Sequence, residues 1–116
     1  MKVKTALVAA TEIKDDSARG FSVTVNDDPL ELFVVNRSGN FYAYLNKCPH
    51  VGGELNWRPD QFLDVDCQHI ECGMHGALFK IEDGYCIYGP CLGHSLTPLE
   101  IELIDGMITL LSDSKP

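Results

Sequence analysis

Four residues in the middle of the chain have the types and spacing of a metal site: Cys48 and His50 in one box, Cys72 and His75 in another. The boxes read Cys48-Pro49-His50 and Cys72-Gly73-Met74-His75, separated by the 21 residues 51–71. Each offers one thiolate and one imidazole from a short loop. Two such loops brought face to face can hold two iron atoms bridged by sulfide, one iron taking Cys48 and Cys72 and the other His50 and His75. Glycines crowd both boxes, at 52, 53, 73 and 76. They let the loops turn tightly and bring backbone N–H groups close to cluster sulfur.

A tetrahedral zinc site accepts the same ligand types. Zinc fingers, however, pair two cysteines in one box and two histidines in the other, whereas each box here mixes one of each. The mixed pattern favours a two-iron Rieske centre, in which two histidines replace two cysteines on one iron.

On these boxes the chain resembles the Rieske ferredoxins, small electron carriers of multicomponent ring-hydroxylating dioxygenases. It is also similar to the related Rieske domain of the small subunit of assimilatory nitrite reductase. The resemblance runs from about Val3 to Leu111. It implies an all-β Rieske fold: an antiparallel β-sandwich base, with a smaller loop-rich subdomain that carries one 2Fe-2S cluster. It also implies a third, proline-containing loop over the cluster, and Gly89-Pro90-Cys91 stands where that loop is expected. The 51–71 interval is a few residues longer than is commonest in the ferredoxins, with the excess placed at 56–61. High-potential relatives carry a disulfide and two hydroxyl donors near the cluster, at positions matching Gly53, Met74, Ala77 and Phe79 here. None of the four can supply them, so the resemblance implies a potential near the low end of the Rieske range, roughly −150 mV.

The remaining candidates have plainer readings. Cys67, Cys86 and Cys91 read as small buried apolar residues, with Cys91 singled out by its place in the covering loop. His69 lies in an alternating strand and reads as structural, His94 as solvated. Trp57, beside Arg58 and Pro59, reads as packing the longer interval onto the base. Glu54, Asp60, Asp64, Asp66 and Glu71 read as a solvated acidic face that would also steer a basic redox partner.

The elements that must hold these loops read as strands. A first strand covers the amino terminus. Arg19 to Asn26 alternates through Phe21, Val23 and Val25, and Leu30 to Asn36 is an apolar run. Asn36-Arg37-Ser38-Gly39-Asn40 then turns into Phe41 to Leu45. Further on, Phe62 to Ile70 reads as one strand, and Glu82-Asp83-Gly84 as a turn between Leu78 to Ile81 and Tyr85 to Tyr88. Leu99 to Ile104 and Met107 to Leu111 flank Asp105-Gly106 as a last hairpin. No stretch holds a sustained 3.6-residue apolar period, so no long helix is expected.

At 116 residues the chain suits one domain, 1–116, with the cluster-binding part at about 46–91 and the base from 1–45 and 92–116. The five-residue apolar run at 6–10 is followed at once by Glu12, Asp15 and Asp16, too short for a secretory segment, so a cytoplasmic location is expected. A formal charge of −8 disfavours nucleic acid and acidic membrane surfaces and suits a basic protein partner. No nucleotide fingerprint or substrate-site motif accompanies the boxes, so the expected role is electron transfer rather than catalysis. Three functions stand: a carrier between a flavin reductase and an oxygenase, a small subunit of a nitrite-reductase-like complex, or a redox-sensing binding module.

Overall fold

Two-residue turns set the pairing of the strands, which the computed structural model describes within residues 2–25, 27–47, 62–64, 68–72, 77–89 and 92–113. Strand β1 (Lys2–Ala9) leads through a 3-10 turn at Ala10–Glu12 into β2 (Ser17–Val25), β3 (Asp28–Arg37) and β4 (Asn40–Leu45). Short strands β5 (His69–Glu71), β6 (Leu78–Lys80) and β7 (Cys86–Tyr88) follow, and β8 (Pro98–Leu99), β9 (Ile101–Ile104) and β10 (Met107–Asp113) close the chain. Arg37 pairs with Asn40 across Ser38 and Gly39, whose φ values of 53° and 86° give the turn whose twist matches the flanking strands. Asp105 and Gly106, at 53° and 80°, make the same turn between β9 and β10. Buried Asn36 ties the first turn down: its amide donates to the Ile13 carbonyl at 2.8 Å, and its oxygen accepts the Gly39 N–H at 3.0 Å.

Among the described residues all pairing is antiparallel and forms three sheets, β1-β10-β9, β2-β3-β4-β8 and β5-β6-β7. The continuous apolar run in β3 has a structural reason: both faces of this strand are covered. Leu32 and Val34, with Ala43 of β4, pack toward Ile108 and Leu110 of the first sheet. Phe33 and Val35, with Tyr44, pack on the opposite face toward Phe62, Ile70 and Phe79 around the third sheet. The second sheet is therefore a shared wall between two cores, as successive side chains on a strand point to opposite faces. Phe33 stacks on Phe62, centroids 4.4 Å apart and planes at 11°, which anchors the segment before β5 to the base. Burying a side chain of that size contributes roughly 2–3 kcal/mol.

Two expected strands are each broken in two. In the first, residues 62–64 lie antiparallel to 69–71: Leu63 bridges Ile70, the Asp64 N–H donates to the His69 carbonyl at 3.0 Å, and the Glu71 N–H to that of Phe62 at 2.8 Å. The Asp64 carboxylate accepts the N–H groups of Gln68 and His69 at 2.9 and 3.2 Å, which makes this aspartate a turn former. The apolar/polar alternation could not register it, because both arms keep the same period. Leu99 to Ile104 divides at Glu100: β8 pairs with β4 and β9 with β10, so the chain changes sheets there. The turn expected at Glu82-Asp83-Gly84 is present, with Gly84 at φ 72°.

Candidate metal centre

Of the four predicted ligands, Cys72 lies within the described residues; Cys48, His50 and His75 lie outside them. Cys72 follows β5 directly and is fully buried in the core shared with Phe33, Phe62 and Phe79. Its N–H donates to the Ala77 carbonyl at 2.9 Å, so positions 72 and 77 are fastened together at the mouth of the β5–β6 hairpin. The hairpin itself is built by the pairs Glu71–Leu78, Ile70–Phe79 and His69–Lys80. On the amino-terminal side, buried Asn46 donates its N–H to the Glu31 carbonyl at 2.9 Å, which holds the chain two residues before Cys48. Among the described residues no three His, Cys, Asp or Glu side chains gather into a metal site.

The donor chemistry fits an iron-sulfur group. A cysteine sulfur shielded from water and walled by apolar side chains suits such a group, and solvent exposure is one of the determinants of a cluster's potential. Ala77 and Phe79, both fully buried, flank Cys72 without a hydroxyl. The third expected loop begins at Gly89, whose backbone lies against Ala77, and the Leu92 N–H donates to the Gly89 carbonyl at 3.1 Å. Pro90 and Cys91 lie outside the described residues.

The other candidates separate by burial. Cys86 is fully buried, as expected, and its thiol donates to the Tyr88 carbonyl at 3.3 Å. Cys67 and Trp57 lie outside the described residues, as do Glu54, Asp60 and Asp66. His69 is structural: its Nδ1 stands 3.3 Å from the Asp64 carboxylate. His94 is exposed. Asp64 departs from the expected solvated face, since its side chain is only 16% exposed. Burial pushes its carboxyl up, but the backbone N–H groups of Gln68 and His69 and the His69 side chain outweigh this and hold it below the usual range. Glu71 is half-buried and also departs from that face.

Arg37 gives the sequence reading a contact it did not contain. Its guanidinium donates to the Gln68 carbonyl at 3.2 Å and the Gln68 side chain at 3.0 Å, and its Nε lies 3.3 Å from Glu82. One side chain at the end of β3 thus spans two turns of the third sheet. A lone arginine beside a turn carries no sequence signal for partners 31 and 45 residues away, at Gln68 and Glu82.

No curated protein matches the chain. Solved structures match it throughout. One chain from a complex of reduced oxygenase and oxidized ferredoxin in carbazole 1,9a-dioxygenase superposes with a TM-score of 0.75 at 23% identity, covering 98% of this chain and 97% of that one. The ferredoxin of carbazole 1,9a-dioxygenase from Nocardioides aromaticivorans IC177 gives 0.71 at 18%, covering 93% and 96%. The terminal oxygenase of carbazole 1,9a-dioxygenase from Novosphingobium sp. KA1 gives 0.74 at 18%, covering 97% of this chain but 31% of the oxygenase. These likenesses establish the all-β Rieske fold. The Rieske [2Fe-2S] domain matches residues 4–106, which include both Cys/His boxes. The chain therefore belongs to the Rieske [2Fe-2S] domain family, and its cofactor is the 2Fe-2S cluster for which that family is named.

Proposed function

We propose that the protein is a one-electron carrier whose cluster is held by Cys48 and Cys72 on one iron and by His50 and His75 on the other. It takes electrons from a flavin reductase and passes them to a terminal oxygenase or similar redox enzyme, in the cytoplasm. The whole chain, 1–116, acts as one domain in which 46–91 carries the cluster and the rest forms the base. The family match over residues 4–106 carries this reading, because it takes in both boxes and the strands around them. The superposition on 96% of a ferredoxin chain further supports carriage of electrons. No helix among the described residues is long and apolar enough to cross a membrane.

When bound, the cluster supplies reversible one-electron chemistry. The chain's own residues do the rest. Cys72 offers its thiolate from a site closed to water, and the Cys72–Ala77 hydrogen bond keeps that site in register with the sheet below. Ala77 and Phe79 bring no hydroxyl to the core around Cys72, which supports a potential near the low end of the Rieske range, roughly −150 mV. Electron paramagnetic resonance of dithionite-reduced protein at low temperature tests the reading. A Rieske spectrum, with the low average g-value of histidine-ligated iron, is expected. A silent sample holding stoichiometric zinc overturns it.

A second reading rests on a specific surface. Tyr85, Ile87, Tyr88 and Leu92 are exposed large apolar residues within eight positions of one another. A permanent partner would cover such a patch, as in a small subunit of a nitrite-reductase-like complex. Co-purification with a large subunit through high salt favours that reading; recovery of free protein favours the carrier.

A further inference from the structure

The β6–β7 pairing contains an irregularity that decides what lies against the Cys72 hairpin. Phe79 pairs with Cys86 but Leu78 pairs with Tyr88, so Ile87 is an extra residue in β7. This β-bulge advances the strand by one position and turns both Ile87 and Tyr88 outward, at 40% and 64% exposure. The next position, Gly89, then falls opposite Ala77. A Cβ at Gly89 would stand 2.8 Å from the Ala77 Cα, 3.2 Å from its Cβ and 3.3 Å from its N, and the φ of 97° also resists any side chain. Ala77 is the residue whose carbonyl accepts the Cys72 N–H, and the Gly89 carbonyl accepts the Leu92 N–H.

From this we infer that Gly89 is a positioning residue of the metal centre: the Ile87 bulge and the missing side chain at 89 seat the Gly89 backbone against the Cys72–Ala77 bracket. The inference rests on the proposed site at Cys72. The close contact is with the Ala77 backbone, which cannot swing aside as a side-chain tip would, so an added methyl must push one loop off the other. Displacing Ala77 moves the carbonyl that accepts the Cys72 N–H and so the backbone that presents the Cys72 sulfur, and the setting of the ligand sulfurs is one of the quantities that fix a cluster's potential and spectrum. Gly93 supplies the comparison, because it has a φ of 93° and open space around it. Alanine there carries the same dihedral cost without the collision.

The test compares Gly89→Ala and Gly93→Ala in the iron-loaded protein by redox titration, electron paramagnetic resonance and the rate of iron loss to a chelator. Gly89→Ala is expected to shift the midpoint potential and the g-values and to lose iron several-fold faster than wild type. Gly93→Ala is expected to keep the wild-type potential and spectrum. Wild-type potential and g-values in Gly89→Ala overturn the inference, and so do equal shifts in both variants. If Gly89→Ala holds no iron, the double variant Gly89→Ala/Ala77→Gly is the second test, because it removes the methyl that the added Cβ would meet at 3.2 Å and frees the backbone at 77 to give way. It is expected to hold iron again, and a double variant as iron-free as Gly89→Ala overturns the inference. Thermal melts of both glycine variants after iron removal keep the steric claim separate from the reading of the centre. Gly89→Ala must melt below Gly93→Ala there, and a wild-type sample lacking the Rieske signal counts against the centre alone.

Discussion

At the scale of single residues, a phenyl ring at position 79 in the core that holds Cys72 has a direct redox consequence. Phe79 is fully buried in the core that holds Cys72, on the strand facing Ile70 and Cys86. Phe79→Tyr introduces a donor that favours the reduced, more negative cluster. The midpoint is expected to rise on the order of 60 mV, equivalent to about 1.4 kcal/mol for one electron. An unchanged midpoint in redox titration refutes the placement of residue 79 beside the cluster. Asp64 carries a pH dependence with a definite sign. Its folded carboxyl is held below the usual range, so its stabilising effect is complete above the unfolded pKa of about 3.9 and fades as pH falls through the lower folded value. Asp64→Asn is expected to cost about 1–2 kcal/mol at pH 7, since it weakens hydrogen bonds to a charged acceptor. Denaturant titrations at falling pH should see the two proteins converge below about pH 4. A constant gap down to pH 2 would show that the charge is not what holds this turn.

Among the elements, the turn between β6 and β7 is sterically constrained. Gly84 has φ 72°, and a Cβ there would meet the buried Tyr44 ring at 2.8 Å. That ring cannot retreat freely, because its hydroxyl donates to the Ile81 carbonyl at 2.5 Å in the same turn. Gly39 has a similar φ of 86° with nothing within 4 Å. Gly39→Ala is therefore expected to cost about 1 kcal/mol for the dihedral alone, and Gly84→Ala about 2–4 kcal/mol for dihedral and collision together. Equal losses in equilibrium unfolding would show that the turn absorbs the methyl. The hairpin turns at Ser38-Gly39 and Asp105-Gly106 were readable in advance, because left-handed dihedrals impose composition on two adjacent residues. The turn at Asp64 was not, since a single carboxylate closing a loop onto Gln68 and His69 leaves the surrounding apolar pattern intact.

For the molecule as a whole, the two cores are unequal in the length of the strands that build them. The core between the first and second sheets is built from strands of four to ten residues, apart from the two-residue β8. The third sheet has three strands of three residues each and borrows Phe33, Val35 and Tyr44 from the base. Removing iron with a chelator is expected to accelerate amide exchange in β5 and β6 by at least about tenfold, equivalent to about 1.4 kcal/mol, while β3 changes less. Uniform loss of protection would make the cluster a support of the entire fold.

What the sequence alone determined is local or chemical in origin. Residues of ligand type repeat at short spacing, so Cys48, His50, Cys72 and His75 stand out as a set, and the Rieske [2Fe-2S] domain match over residues 4–106 takes in all four. Strand identity through β1 to β4 was legible because burial on one face, or on both for β3, writes itself into alternation or an unbroken apolar run. Only the tertiary structure decided which strands share a sheet, where Glu100 passes the chain from one sheet to another, and how Arg37 reaches two distant turns. The contact of Gly89 with Ala77 belongs with these. Each depends on two segments far apart in sequence meeting at one place, and a meeting of that kind leaves no period, spacing or composition in either segment by itself.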